Sequence, residues 1–315
     1  MKFLIKVFNI ALGVILIIAV TNYIISYRPS FSSIDNFTNL NYLIFAFFIY
    51  NVSHLIRSIR LTILTNLDSV SFREVVKMQY YTNGINLVLP FKLGEIYRII
   101  EFNRILKNGL FSTIVIAAER SGDFFLIFSA LLICIISFNI IDTLFIAFVI
   151  GILFLLAMPI IFFILPENIK SIKILLLKRY NSRGINKLIF FLDSFTVFIA
   201  KIKSLYWNKI FTIVLLSLVI WSLEVGAIYI LFSHLDIKYI LLLSVLIFLS
   251  SLLPNGPAGY GGIQLAFYSV SLLTNFPYFI EASIIYTLAT FIPAILISSI
   301  MHLVIKTTES FKGSK

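Results

Sequence analysis

The feature that most constrains this chain is a series of apolar runs, each long enough to cross a lipid bilayer. A spanning helix needs about 20 consecutive, mostly apolar residues. Six runs meet that requirement: about Phe8 to Tyr27, Tyr42 to Ile59, Ser112 to Phe138, Thr143 to Leu165, Ile210 to Phe232 and Ala282 to Ile305. Hydrocarbon offers no water to satisfy backbone N–H and C=O groups, so such runs are read as helices. Composition agrees, because 60% of the 315 residues are hydrophobic and only 12% are charged. A typical soluble domain carries about 25% charge, and a soluble core could not hide so much apolar surface. The expected fold is an all-α polytopic membrane protein with six full transmembrane helices. An ordinary soluble enzyme, a disordered chain and a disulfide-stapled secreted domain are excluded. Lys2 and Lys6 precede the first run as in a signal peptide, but the run continues through Ile24 and Ile25 without a small-x-small site. An uncleaved first helix is expected.

Two further apolar stretches are interrupted. Gln79 to Ile99 reads QYYTNGINLVLPFKLGEIYRI, and Tyr239 to Thr274 reads YILLLSVLIFLSSLLPNGPAGYGGIQLAFYSVSLLT. Each has a Leu-Pro step followed by glycine. Proline removes a backbone donor, and glycine favours turns. Within a membrane such breaks are tolerated only inside protein or beside a water-filled cavity. Both stretches are therefore expected to be re-entrant helix pairs, broken at Pro90 with Gly94 and at Pro254 with Pro257, Gly259 and Gly262. The order helix, broken pair, helix occurs twice, which suggests an inverted repeat whose two breaks meet near mid-membrane.

The charge distribution sets an expected topology. The net charge of +11 would suggest nucleic acid in a soluble protein, but here basic residues cluster between apolar spans. Arg57, Arg60, Arg73 and Lys77 follow the second span, and Arg98, Arg104 and Lys107 follow the first broken stretch. Basic loops stay cytoplasmic. Both termini are thus expected in the cytoplasm, the first re-entrant pair entering from that side and the second from outside. The whole chain, 1–315, is read as one integral membrane domain, with a basic cytoplasmic loop at 166–207 inside it. Apolar and basic residues alternate in that loop, which reads as one or two interfacial amphipathic helices. Its charge either anchors the topology or recruits anionic lipid.

Nothing in the sequence calls for a cofactor or a metal. Cys134 is the single cysteine, and His54, His234 and His302 are far apart without HExxH or CxxC spacing. The PNGPAGYGG loop lacks the GK[ST] ending of a phosphate-binding loop. Ionisable residues within spans carry more information, because they usually face a cavity or a partner. Arg57 is one. Glu95 and Arg98, three apart, share a helix face and can pair. Glu119 and Asp123 share a face, and Arg120 can reach Asp123. That cluster reads either as an internal ion-pair network or as a cationic cavity for a lipid phosphate, with Arg57, Arg60 and Arg98 as further counter-ions. Glu224, beside Trp221, reads either as a hydrogen-bonded structural group or as one with a proton or headgroup role.

These residues in their order resemble one family. Arg57, then Asn86-x-x-x-Pro90, Gly94-Glu95-x-x-Arg98, Glu119-Arg120-x-x-Asp123, and finally Leu253-Pro254 with its glycine-rich loop are similar to the lysylphosphatidylglycerol synthase transmembrane family. The resemblance covers nearly the whole chain. Lys92 departs from it where an arginine is common, and Gln264 where a glutamate is common. No soluble aminoacyl-transfer domain like that of multiple peptide resistance factors is expected in residues 1–315, and aminoacylation of lipid by these residues alone is not expected. The resemblance implies translocation of an anionic phospholipid or a polyprenyl-linked glycolipid across the cytoplasmic membrane in envelope biogenesis. Arg57, Asn86, Glu95, Arg98, Glu119, Arg120, Asp123 and Glu224 are then the headgroup candidates. The alternative is an accessory or catalytic subunit of a membrane lipid or glycosyl transferase, with Glu119 or Asp123 as base. Partners beyond lipid would be further copies of the chain or envelope-synthesis enzymes, and no nucleic acid is expected.

Overall fold

A computed structural model describes residues 40–65, 70–88, 93–139, 145–179, 183–207, 209–250, 259, 261–274 and 279–313. Every regular element among them is helical. In chain order these are α1 (Leu40–Thr65), α2 (Phe72–Val88), α3 (Leu93–Leu106), α4 (Gly109–Ser137), α5 (Phe145–Pro159), α6 (Leu165–Arg179), α7 (Arg183–Trp207), α8 (Ile210–Leu231), α9 (Ile237–Ser250), α10 (Gly262–Thr274) and α11 (Phe279–Gly313). A five-residue π turn, Ile160–Ile164, joins α5 to α6. It lies just ahead of Pro166, whose ring cannot follow a regular i to i−4 ladder; a widened turn accommodates it.

The fold is that of a polytopic helical membrane protein. Four described helices are long and apolar enough to span: Leu40–Thr65, Gly109–Ser137, Ile210–Leu231 and Phe279–Met301. They correspond to the second, third, fifth and last runs expected from the sequence. The first run, and the breaks at Pro90, Pro254 and Pro257, lie outside the described residues. The fourth run is divided, its first part forming α5 and the remainder the π turn.

One boundary differs from expectation. α1 does not end near Ile59 but continues to Thr65, so Arg60 as well as Arg57 lies within the helix and neither is in a loop after it. Arg60 is fully buried. Hydropathy ends a span at the first charges, whereas the fold carries the helix on because those charges find partners on α8. Arg98 likewise lies inside α3 and is buried. These three arginines therefore do not act as loop charges.

The chain forms two compact units, Met1–Gly109 with Leu216–Lys315, and Leu110–Leu215. In the first, α2 is central and packs on α11, α3 and α1, while α9 pairs with α10, and α10 with α11. The start of α2 is fixed locally by a capping box. The Glu74 backbone N–H donates to Ser71 Oγ, and the Ser71 N–H donates to Glu74 Oε2, both at 3.3 Å. Two glycines permit the close packing of α2. A Cβ on Gly84 would collide with Cβ of Ser298 on α11, and one on Gly94 would collide with Cα of Asn86. Small residues let helices approach closely where apolar burial alone gives no drive between them. In the second unit α4 ends at Ser137 and is followed by Asn139, whose φ of 52° turns the chain through the left-handed region that asparagine tolerates.

Candidate functional site

The richest polar arrangement lies in the first unit, on helices whose other faces are apolar. Gln79, Asn83 and Asn86 recur on α2 at intervals of four and three, which places them along one stripe. On α1, His54, Arg57 and Arg60 recur every three residues. The fold brings these stripes to their partners.

Arg57 donates from Nη2 and Nε to a single oxygen of Glu224, at 2.7 and 3.2 Å. Ser53 Oγ donates to the same Oε1 at 3.1 Å. The side chains are 12% and 6% exposed, so the pair is largely withdrawn from solvent. One helical turn on, Arg60 Nη1 donates to Ser217 Oγ at 2.6 Å. Both contacts tie α1 to α8. A buried charge is tolerated only when paired and hydrogen-bonded, which explains how two arginines sit within a helix apolar enough to span.

On the α2 side, the Asn83 amide Nδ2 donates to His54 Nε2 at 3.1 Å, which fixes that ring nitrogen as the acceptor. The His54 ring meets Tyr50 edge to face at 4.8 Å. Tyr80 donates its hydroxyl to the Asn51 carbonyl at 2.8 Å. Arg98 of α3, 3% exposed, donates to Gln79 Oε1 at 2.7 Å and holds Glu95 Oε2 at 3.7 Å. Asn86 Nδ2 donates to Glu95 Oε1 at 3.2 Å. The Tyr81 and Tyr97 hydroxyls share a hydrogen bond of 2.5 Å, and Ser298 of α11 donates to the Tyr81 carbonyl. The first helix pair is thus cross-linked by polar groups along its length.

The expected pairing of Glu95 with Arg98 is present but loose, and the shorter bond of Arg98 goes to Gln79. Glu224 has its partner on α1, a pairing that spans 167 residues of sequence. From the sequence alone Arg60 is a charge after the second span and a counter-ion candidate for the Glu119–Asp123 cluster, while His54, Gln79, Asn83 and Ser217 carry no assigned part in the site. The period of Gln79, Asn83 and Asn86 was the available signal for two of them.

In the second unit, Glu119 and Asp123 are buried on one face of α4, at 1% and 3% exposure. Arg120 is 30% exposed at its side chain and reaches Asp123 Oδ2 at 3.5 Å, as the spacing implied. Within the first unit, Arg57 bonds Glu224, Arg60 bonds Ser217 and Arg98 bonds Gln79. Among the described residues no group of three or more His, Cys, Asp or Glu side chains is arranged to hold a metal ion.

Gly259 and Gly261 adopt φ of 73° and 95°, the left-handed region open to glycine. They lead into α10, whose Gln264 accepts the Gly261 N–H at 2.8 Å as a cap, and Gly262 is its first residue. Gln264, which departs from the glutamate common in the resembled family, therefore has a structural part to play at this turn.

A family model described as lysylphosphatidylglycerol synthase TM region matches residues 6–298. No curated protein and no solved structure matches the chain.

Proposed function

From the premise that this chain belongs to the lysylphosphatidylglycerol synthase transmembrane-region family, a multi-pass family concerned with membrane lipid, we propose that it translocates an anionic lipid or lipid-linked sugar across the cytoplasmic membrane. The observation that carries this reading is the buried polar tract of the first unit. Arginine, asparagine, glutamine and carboxylate side chains of α1, α2, α3 and α8 gather at and beside an interrupted helix pair, where apolar contacts would cost less. In this reading Arg98 holds the headgroup phosphate, which suits its planar fork of donors. Glu95, Asn86 and Gln79 orient that fork. Arg57 and Glu224 brace the helices on either side. Arg120, with Glu119 and Asp123, is the corresponding candidate in the second unit. Both termini face the cytoplasm, and the acyl or prenyl tails stay in lipid while the headgroup crosses.

The experiment is reconstitution of the purified chain into vesicles containing fluorescent phosphatidylglycerol, followed by an impermeant quencher. Flipping exposes inner-leaflet label, so bleaching should exceed that of protein-free vesicles. In the folded Arg98→Lys variant, lipid binding should weaken about five- to thirtyfold, the equivalent of about 1–2 kcal/mol for lost charge-assisted bonds. Arg120→Lys tests the second cluster in the same way. Bleaching equal to that of empty vesicles, or unchanged lipid binding by both folded variants, refutes the proposal.

A further inference from the structure

The helices α6 and α7 form a hairpin in the second unit that spanning does not explain. α7 has 25 residues yet is not among the four helices apolar enough to cross the membrane. It nevertheless presents large apolar side chains outward: Phe190, Phe191 and Trp207 are 74%, 63% and 67% exposed, and Leu175 of α6 is 66% exposed. Charge runs through the same segment. Between Glu167 and Lys209 stand nine basic residues against two acidic ones, a net of +7 out of the chain's +11. One of those two acids is already engaged, because Lys173 Nζ donates to both oxygens of Asp193 at 2.6 Å and clasps α6 to α7. Lys170, Lys187 and Lys201 stand on exposed positions, and Lys203 Nζ lies 6.0 Å from the Trp207 ring.

We infer that this hairpin is a docking surface for the anionic headgroup layer of the bilayer, lying in the interface with its aromatic side chains in the acyl boundary and its lysines against lipid phosphate. Exposed apolar side chains would carry a penalty in water and need no lysines in hydrocarbon. Only the interface offers both an apolar and an anionic neighbour. Tryptophan beside lysine is a pairing that belongs at that depth. The C-terminal half of α7 has a second attachment. Phe198, Ile202 and Leu205 pack against Ile114, Ala117 and Ala118 of α4, the turn that immediately precedes Glu119. A helix seated on the membrane surface therefore also holds the segment that carries the Glu119–Asp123 cluster. This inference does not rest on lipid flipping, since it concerns where α7 lies and not what crosses.

The test uses the full chain with Trp221→Phe, which leaves Trp207 as the one tryptophan of the two in the sequence. The protein is reconstituted into phosphatidylcholine vesicles with and without phosphatidylglycerol, and Trp207 emission is read with lipids brominated near the headgroup or near the chain end. Docking at an anionic interface predicts stronger quenching from the shallow position. It also predicts about two- to threefold more quenching by brominated phosphatidylglycerol than by brominated phosphatidylcholine at equal mole fraction, a preference lost in high salt. Lys170→Gln, Lys187→Gln and Lys201→Gln together should abolish that preference while the shallow depth remains. Stronger quenching from the deep position would show α7 to be inserted. Absence of quenching from either position would show it covered by other protein or water. Equal quenching by the two lipids would remove the anionic recognition. Each of these three results overturns the inference, and none depends on whether lipid is flipped.

Discussion

The two helix pairs of the first unit share an order of elements, yet they are held together differently. Both are pairs of short helices between longer ones: α2 and α3 have 17 and 14 residues, α9 and α10 have 14 and 13. The α2–α3 pair is joined by polar groups, Arg98 to Gln79, Asn86 to Glu95 and Tyr81 to Tyr97. The α9–α10 pair buries Ile240, Leu242, Leu243 and Ile247 with Ile263, Phe267 and Val270. Its described side-chain bonds stay within a turn, such as Ser244 to Ile240 and Gln264 to Gly261. Apolar packing in a membrane protein specifies position without cost. Buried polar groups demand partners, and the α2–α3 pair supplies them to one another along its length.

That contrast can be broken by mutation, and the largest expected effect falls on the helices that flank the two pairs. Glu224→Ala leaves the Arg57 guanidinium without its carboxylate and should destabilise the protein by about 3–5 kcal/mol. Replacing both Arg57 and Glu224 by leucine should cost much less than either single change. Unfolding in graded denaturing detergent would measure both. If the double change is as damaging as the sum, the pair is not an internal brace.

Gly84→Ala comes next. Its methyl would overlap Ser298, and because Ala294 O also lies at 3.2 Å there is little room to yield. Overpacking of this kind costs about 1–3 kcal/mol, and the α2–α3 pair should lose its seat on α11. Gly226 is the control, because a methyl group there would enter open space, with nothing within 4 Å. Gly226→Ala should leave detergent stability unchanged or raise it slightly by restricting the unfolded chain.

The functional half of the contrast is sharpened by Gln79→Leu beside Gln264→Ala. The first removes the acceptor that orients Arg98, and should weaken binding of phosphatidylglycerol about tenfold in the folded protein. The second removes only a cap and should cost about 1 kcal/mol of stability with lipid binding intact. Equal effects of the two on lipid binding would erase the distinction between a polar site and an apolar scaffold. Smallest of all is Lys173→Ala in the second unit. Lys173 and Asp193 are 32% and 47% exposed, so breaking their pair should change stability by about 0–1 kcal/mol.

The sequence by itself determined that this is a helical membrane protein and where four of its spanning helices lie. Those features follow from a local rule, the length of an apolar run, so they need no knowledge of what lies nearby. It also placed Arg120 within reach of Asp123, because residues three apart on a helix are neighbours whatever surrounds them. Tertiary structure decided the rest. That Arg57 and Arg60 continue α1 instead of ending it depends on Glu224 and Ser217 of a distant helix. Which of two similar helix pairs became polar inside depends on the faces of α2 and α3 that meet, and on Gly94 allowing them to meet. A charge in a sequence carries only its cost; the partner that offsets it belongs to another part of the chain, and its distance is set by packing alone.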